Sequence, residues 1–351
     1  MNSIQILQHK KKRHAWLLIL LAVAVVGMSL ICLLLGSSEM TMGEGFRALL
    51  GQGSKAQLRI MRNIRLPRVL AAVIAGAGLA LSGLIMQTTL NNTMASPSTL
   101  GVSNGAVFGA NLSIIAFGGG LAMGGGFEIG TNPYATGVMA FVFAMASVLL
   151  ILGLCRVRAF SPNVVVLAGI AIGAVWNAAT TMLQFYATDV GLSAAVVWSF
   201  GDLGRATYRT DFIMLAVVTL GVVYFSLMSW RLNALLSGEA TAKTMGIHVE
   251  RLRFFALLVS SLITAVCVSF LGIIGFVGVI CPHVVKKLLG QDHRISIPAT
   301  CLTGSLLLLL SDTASRCLGS GSALPVGAIT SLLGAPFFIA IIFMGKENRS
   351  C

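Results

Sequence analysis

Residues 254–290 read FFALLVSSLITAVCVSFLGIIGFVGVICPHVVKKLLG, and how often this stretch crosses a membrane decides the fold. It carries no Asp, Glu, Lys or Arg before Lys286. A helix needs about 20 apolar residues to span the hydrocarbon core. The stretch is far too long for one crossing, and Gly272-Ile273-Ile274-Gly275 offers a turn near its middle. The spacing predicts one full helix over 254–272 and a short one over 276–289. The short helix falls below spanning length, so it is expected to be buried among others.

The rest of the chain points the same way. Of 351 residues 56% are hydrophobic and 10% charged, against about 25% charged in a soluble domain. Too few charges exist to coat a soluble globule, and the chain is too apolar for disorder. With 39 glycines and 7% aromatics, the composition suits helices packed closely in lipid. Charge-free runs occupy 15–38, 69–127, 129–155, 159–188, 212–230, 254–285, 295–311 and 317–345. No alternation of about ten-residue segments marks a barrel. The expected spans are 15–36, 68–90, 98–117, 134–154, 162–186, 211–230, 254–272, 276–289, 296–317 and 325–344. The first follows Lys10-Lys11-Lys12-Arg13 but is too long for a signal-peptide core and lacks a cleavage site, so it reads as a retained helix.

Charge sets the expected orientation. Positive residues favour the cytoplasmic side, which places the tail 1–14 inside, with Arg156, Arg158 and the segment 231–253. Nine spans would leave Lys286, Lys287, Arg294 and the tail 346–351 outside. Ten spans put both termini in the cytoplasm, within a single transmembrane domain over 15–345. The net charge of +13 is therefore read as orientation rather than affinity for nucleic acid. One loop resists: 37–67 lies outside yet carries Arg47, Lys55, Arg59, Arg62 and Arg65. It either tolerates this charge or offers a basic surface to an acidic partner.

Several ordered motifs carry a resemblance. They are Arg65-Leu66-Pro67-Arg68, Gly76 to Gly83 with Gln87, Ala95-Ser96-Pro97 through Gly105-Ala106, Leu167-Ala168-Gly169, Gly238-Glu239-Ala240 through Gly246, Gly275-Phe276-Val277-Gly278, Cys281-Pro282-His283, Asp292-His293-Arg294 and Leu324-Pro325-Val326-Gly327. Together they resemble the FecCD/BtuC-like permeases of ABC importers for iron–siderophore complexes, haem or vitamin B12. The resemblance spans roughly 58–345. It departs at Asn92-Thr93-Met94-Ala95, where the family usually has Asn-Pro-Leu-Ala, and in the Gly-rich stretch 118–130.

The resemblance implies an all-α fold of about ten transmembrane helices in a bacterial plasma membrane. Its partners would be a second copy or a close paralogue, two ABC ATPase subunits and an extracytoplasmic binding protein. The chain itself would bind no cofactor, and ATP and Mg would be used by the ATPase subunits. No phosphate-binding Gly-x-x-x-x-Gly-Lys-Ser/Thr loop is present, so no enzymatic activity is expected of this chain.

By resemblance, Arg65, Arg68 and Arg316 dock the binding protein, a role that a forked guanidinium suits. The alternatives are snorkelling for Arg65 and Arg68, and for Arg316 pairing with Asp312 one turn earlier. The coupling element is expected at Gly238, Glu239, Ala240, Ala242 and Gly246. A helix would open at Ser237 or Gly238, with Glu239 at its positive end, and stop at Gly246. Asn177, Thr181 and Gln184 share one side of their helix and could line a pathway or bond between helices. Seven cysteines without a Cys-x-x-Cys pair, and a lone Cys281 beside His283, lack the ligand count for a metal site. An ion-coupled secondary transporter is the alternative. It usually needs ionisable groups at mid-membrane, and Asp312 and Arg316 lie toward a helix end. An integral-membrane enzyme would need clustered His, Asp or Glu, which the sequence does not display.

Overall fold

A computed structural model describes residues 3–35, 42–49, 51–118, 133–157, 161–319 and 323–347. Its helices are α1 (Ser3–Leu34), α2 (Met42–Leu49), α3 (Lys55–Ile60), α4 (Leu66–Thr89), α5 (Val102–Asn111), α6 (Pro133–Val157), α7 (Pro162–Phe185) and α8 (Asp189–Ser199). They continue as α9 (Tyr208–Leu227), α10 (Ser229–Leu236), α11 (Glu239–Thr244), α12 (Val249–Leu271), α13 (Val277–Leu289), α14 (His293–Leu318) and α15 (Val326–Glu347). Wide π-helical turns at Met61–Arg65 and Leu112–Phe117 lead into α4 and out of α5. Among the described residues, seven helices are long and apolar enough to cross a membrane, and shorter apolar helices accompany them. The protein is a multi-pass, all-helical membrane protein.

The decisive stretch breaks where its glycines lie. Helix α12 ends at Leu271, residues 272–276 are irregular, and α13 starts at Val277. Helix α13 is short and packs against α4 and α14. Irregular backbone inside a bundle survives where it lines a cavity. Here a cavity of about 260 Å³ lies beside the break, with Ser96, Ser98, Ser103 and Asn104 among its walls.

Helix α4 is the axis of the bundle. It packs against α14, α12, α13 and α9, and most of its length is buried. Small residues make this possible. A Cβ on Gly83 would run into the Gly278 carbonyl of α13, and one on Gly76 into the Gly304 carbonyl of α14. Backbones can meet this closely only where side chains are absent, and dispersion then holds the helices together in lipid. Two large apolar clusters result among the described residues. One gathers α1, α4, α9, α13 and α14; the other gathers α5, α6 and α7. Helix α12 contributes Ile263 and Cys267 to the first and Leu257 and Ala265 to the second, joining them.

Several segments differ from the sequence expectation. The expected N-terminal tail is helical from Ser3, because nothing between there and Ala15 breaks a helix. The third expected span begins later, at Val102, since Ser96-Pro97 opens a separate 3₁₀ turn first. Helix α8 lies within the stretch expected to be loop, capped by the Thr188 hydroxyl on Gly191 N–H. Most of the Gly-rich stretch 118–130 lies outside the described residues.

Candidate functional site

Three arginines expected on a docking surface meet at one end of the bundle, and all three are buried (Arg65 4%, Arg68 9% and Arg316 6% exposed). Helix α1 ends at Leu34, and the last four carbonyls of a helix lack intrahelical partners. Arg65 Nη1 donates to Leu33 O at 2.8 Å and Leu34 O at 3.0 Å. Arg316 Nη1 donates to Cys32 O at 2.9 Å and Leu35 O at 2.6 Å. Two guanidiniums thus satisfy four consecutive carbonyls at the negative end of the helix dipole.

One buried carboxylate ties this cap to the axis. Asp312, fully buried, accepts from Arg68 Nε at 2.8 Å and lies 3.0 Å from Arg316 Nε. Asp202 is a weaker partner, 3.7 Å from Arg68 and 45% exposed. The cluster therefore joins α1, α4 and α14. The Asp312–Arg316 pairing that one-turn spacing allowed is present. Exposed cations of the same region are Arg47, Lys55, Arg59 and Arg62, on α2, α3 and the turn before α4.

At the opposite end, α11 stands between two glycines with positive φ, Gly238 (108°) and Gly246 (78°). Glu239 occupies its first turn. It pairs with Lys243 at 3.1 Å and with buried Arg253 of α12 at 3.0 Å. Arg253 Nε in turn donates to the Thr89 carbonyl at the end of α4, at 3.2 Å. Ala242 is fully buried in a small apolar cluster with Leu235, Ile247 and Leu252, which seats α11 on α10 and α12. Ala240, Lys243, Thr244 and Gly246 are exposed. Ala240 and Ala242 therefore do not share one outward face.

The Lys243 ammonium, together with Arg253, holds the Glu239 carboxyl below its ordinary 4.5. A depressed carboxylate contributes stability above its unfolded pKa and loses it as pH falls through the folded value. The Glu239→Gln variant is therefore expected to weaken α11 near neutral pH by no more than about 1 kcal/mol, since the pair is partly exposed. The difference from the parent should fade below about pH 4. Hydrogen exchange across 239–246 at pH 7 and pH 4 measures this, and a difference that grows on acidification would refute it.

Sequence reasoning missed the polar cluster beside α11. Three successive residues at the end of α4 each engage another element. Gln87 Oε1 accepts from Lys286 Nζ at 3.0 Å, and its Nε2 donates to Gly278 O at 3.3 Å. The Thr88 hydroxyl lies 2.9 Å from His293 Nε2, whose ring Nδ1 lies 2.7 Å from Asn233 Oδ1 on α10. Thr89 O receives Arg253. Asn233 Nδ2 donates to Asp292, the N-cap of α14, at 2.7 Å. Asp292 before a helix was the one signal that could have pointed here.

Helix α7 presents the expected pathway residues in two directions. Asn177 and Thr181 are exposed on one face, and Thr181 Oγ1 donates to Asn177 O at 3.0 Å. Gln184 instead donates through Nε2 to buried Asn111 of α5 at 2.9 Å. It acts as a bond between helices, while the other two remain open to a partner or to water.

Residues 13–344 match the FecCD transport family. The chain belongs to that family. Among FecCD relatives, a candidate ABC transporter permease protein of Methanocaldococcus jannaschii is 44% identical over 92% of this chain and 93% of its own length. The hemin transport system permease protein HmuU of Yersinia pestis is 35% identical, over 92% and 95%. The vitamin B12 import system permease protein BtuC of Vibrio vulnificus is 30% identical, over 99% of each. A solved structure of a candidate metal-chelate type ABC transporter, in an inward-facing conformation, superposes with a TM-score of 0.80 at 28% identity, covering 93% of this chain and 98% of that one. The FecCD fold thus extends over both ends described above, the arginine cluster and the α11 segment.

Proposed function

We propose that this chain is the transmembrane permease subunit of an ATP-driven importer for a metal chelate: iron–siderophore first, with haem and cobalamin as the other members of the class. Two copies, or one copy and a paralogue, would enclose the pathway. Two ATPase subunits would sit at the α11 end, taken as cytoplasmic, and a binding protein would dock at the arginine end. The observation that carries this reading is the FecCD match over 13–344. The position of α11 supports it: a short helix between two glycines, with exposed Ala240, Lys243 and Gly246, is built for contact, and Arg253 links it to the end of α4.

Docking is read on exposed Arg47, Lys55, Arg59 and Arg62, with Arg65, Arg68 and Arg316 bracing the helices beneath. The guanidiniums of Arg68 and Arg316 are buried and engaged with Asp312, which suits bracing rather than direct contact with a partner. Opposite charge would chiefly speed encounter. Against ion coupling stands Asp312, already held between two guanidiniums and so poorly placed to bind a transported cation.

The test is reconstitution of the chain with its ATPase and binding protein in vesicles. Ferric siderophore, haem and cobalamin are offered in turn. One of them should stimulate ATP hydrolysis and enter the vesicle with proton and sodium gradients collapsed. Uptake that follows an ion gradient without ATP would overturn the reading.

A further inference from the structure

At the α11 end a second cavity, about 320 Å³, opens where α9 passes into α10 and the turn after α11 enters α12. Its walls include Tyr224, Trp230, Arg231, His248, Arg251 and Phe255. Arg231 and Arg251 are both exposed, and neither makes an ion pair among the described residues. The Arg231 guanidinium lies 5.7 Å from the Trp230 ring centroid, and its Nη1 is 3.5 Å from Met228 Sδ. Both contacts leave most of its donors unused. Glu250, the nearest acid in sequence, does not line this cavity; it lines an adjoining hollow, whose wall Arg251 and His248 share with Lys243.

The surroundings decide what such a site would take. Helix α9 exposes Leu220, Val223 and Leu227 along the face leading to the cavity. A strongly apolar helix face that ends in Trp, Tyr and Arg is the pattern of a membrane boundary, where aromatic rings sit at headgroup level. Basic pockets between helices at the cytoplasmic boundary suit anionic headgroups. Forked guanidiniums suit phosphate oxygens. A soluble phosphate would gain nothing from the apolar wall, whereas an acyl chain would.

We propose that this cavity holds the headgroup of an anionic phospholipid. Its phosphate would lie between Arg231 and Arg251, with His248 at the rim. Its glycerol and upper acyl region would lie against Tyr224, Trp230 and Phe255. Because His248 belongs to the turn between α11 and α12, the bound headgroup would brace that turn. The binding itself does not depend on the proposed transport role.

The experiment uses the full chain in detergent, titrated with phosphatidylglycerol or phosphatidylcholine and read by native mass spectrometry. Phosphatidylglycerol should bind at least about tenfold more tightly, one per chain. The Arg231→Gln, Arg251→Gln double variant should bring it to the phosphatidylcholine level. Both positions are exposed, so the fold should hold, and an unchanged melting temperature checks this. Arg294→Gln, an exposed basic position outside the cavity, should leave binding unchanged. Retention in the double variant, or equal loss in Arg294→Gln, would overturn the site. Displacement by millimolar inorganic phosphate would make it a phosphate site instead. Displacement on adding the ATPase subunit would reassign the cavity to a protein interface.

Discussion

Replacing Asp312 by Asn is expected to lower the stability of the purified chain by about 3–5 kcal/mol, the range for stripping a buried charge of its counter-charge. Asn preserves the shape and one acceptor but leaves Arg68 and Arg316 without the carboxylate that they share at 2.8 and 3.0 Å. The damage should spread to α1. Only 17% of that helix's apolar stretch is buried; it packs chiefly on α14 and owes its end to Arg65 and Arg316. Loosening Arg316 frees the Cys32 and Leu35 carbonyls at the end of α1 as well as a guanidinium. Hydrogen exchange should therefore rise first near the end of 3–34, and thermal unfolding in detergent should shift downward. Asp202→Asn is the internal control. At 3.7 Å and 45% exposed, that carboxylate should matter by no more than about 1 kcal/mol. Equal losses at the two positions would mean that burial of the pair is not what holds the cluster.

The same cluster marks where reading the sequence alone stops. Helix stops are local, so Gly272, Gly238 and Gly246 could be placed from residue type and neighbours. The break of 254–290 into two helices followed from its length and its central glycines. Arginine chemistry is not local in that way. A guanidinium that can dock an acidic partner can equally cap a helix, and composition gives charge but not depth. Arg65 is separated from its acceptors Leu33 and Leu34 by about thirty residues, and Arg68 from Asp312 by far more. Only the one-turn pair Asp312–Arg316 could be anticipated, because helical periodicity brings it together. Helix α8 was hidden for a different reason: at 11 residues it is too short for a span and too apolar to look like a surface helix. The hub at Gln87, Thr88 and Thr89 offered only the N-cap signal at Asp292, because its links join residues far apart in sequence and one of them is a backbone carbonyl. Of the pathway residues, shared periodicity grouped Gln184 with Asn177 and Thr181, whereas packing sent it toward Asn111.

Gly246→Trp should abolish coupled transport while leaving the chain folded. The position is exposed, and a Cβ there would meet nothing within 4 Å. Bulk therefore has no internal neighbour to disturb, unlike Gly83, where a side chain would push α4 off α13. The remaining cost is conformational. At φ 78° a residue with a side chain is strained by about 1–2 kcal/mol. Strain and bulk separate through Gly246→Asn, because Asn tolerates positive φ better than most residues. If α11 seats in a cleft of the ATPase, an indole beside it blocks seating, whereas Asn adds little volume. The expected order is at least a tenfold loss of uptake and of substrate-stimulated ATP hydrolysis for Trp, near-parental values for Asn, and similar melting temperatures for both. Equal impairment by Asn and Trp would place the effect in the backbone turn rather than in the contact. Normal uptake by Gly246→Trp would remove the coupling role from 238–246. The link from Glu239 through Arg253 to Thr89 O at the end of α4 would then be a structural brace alone.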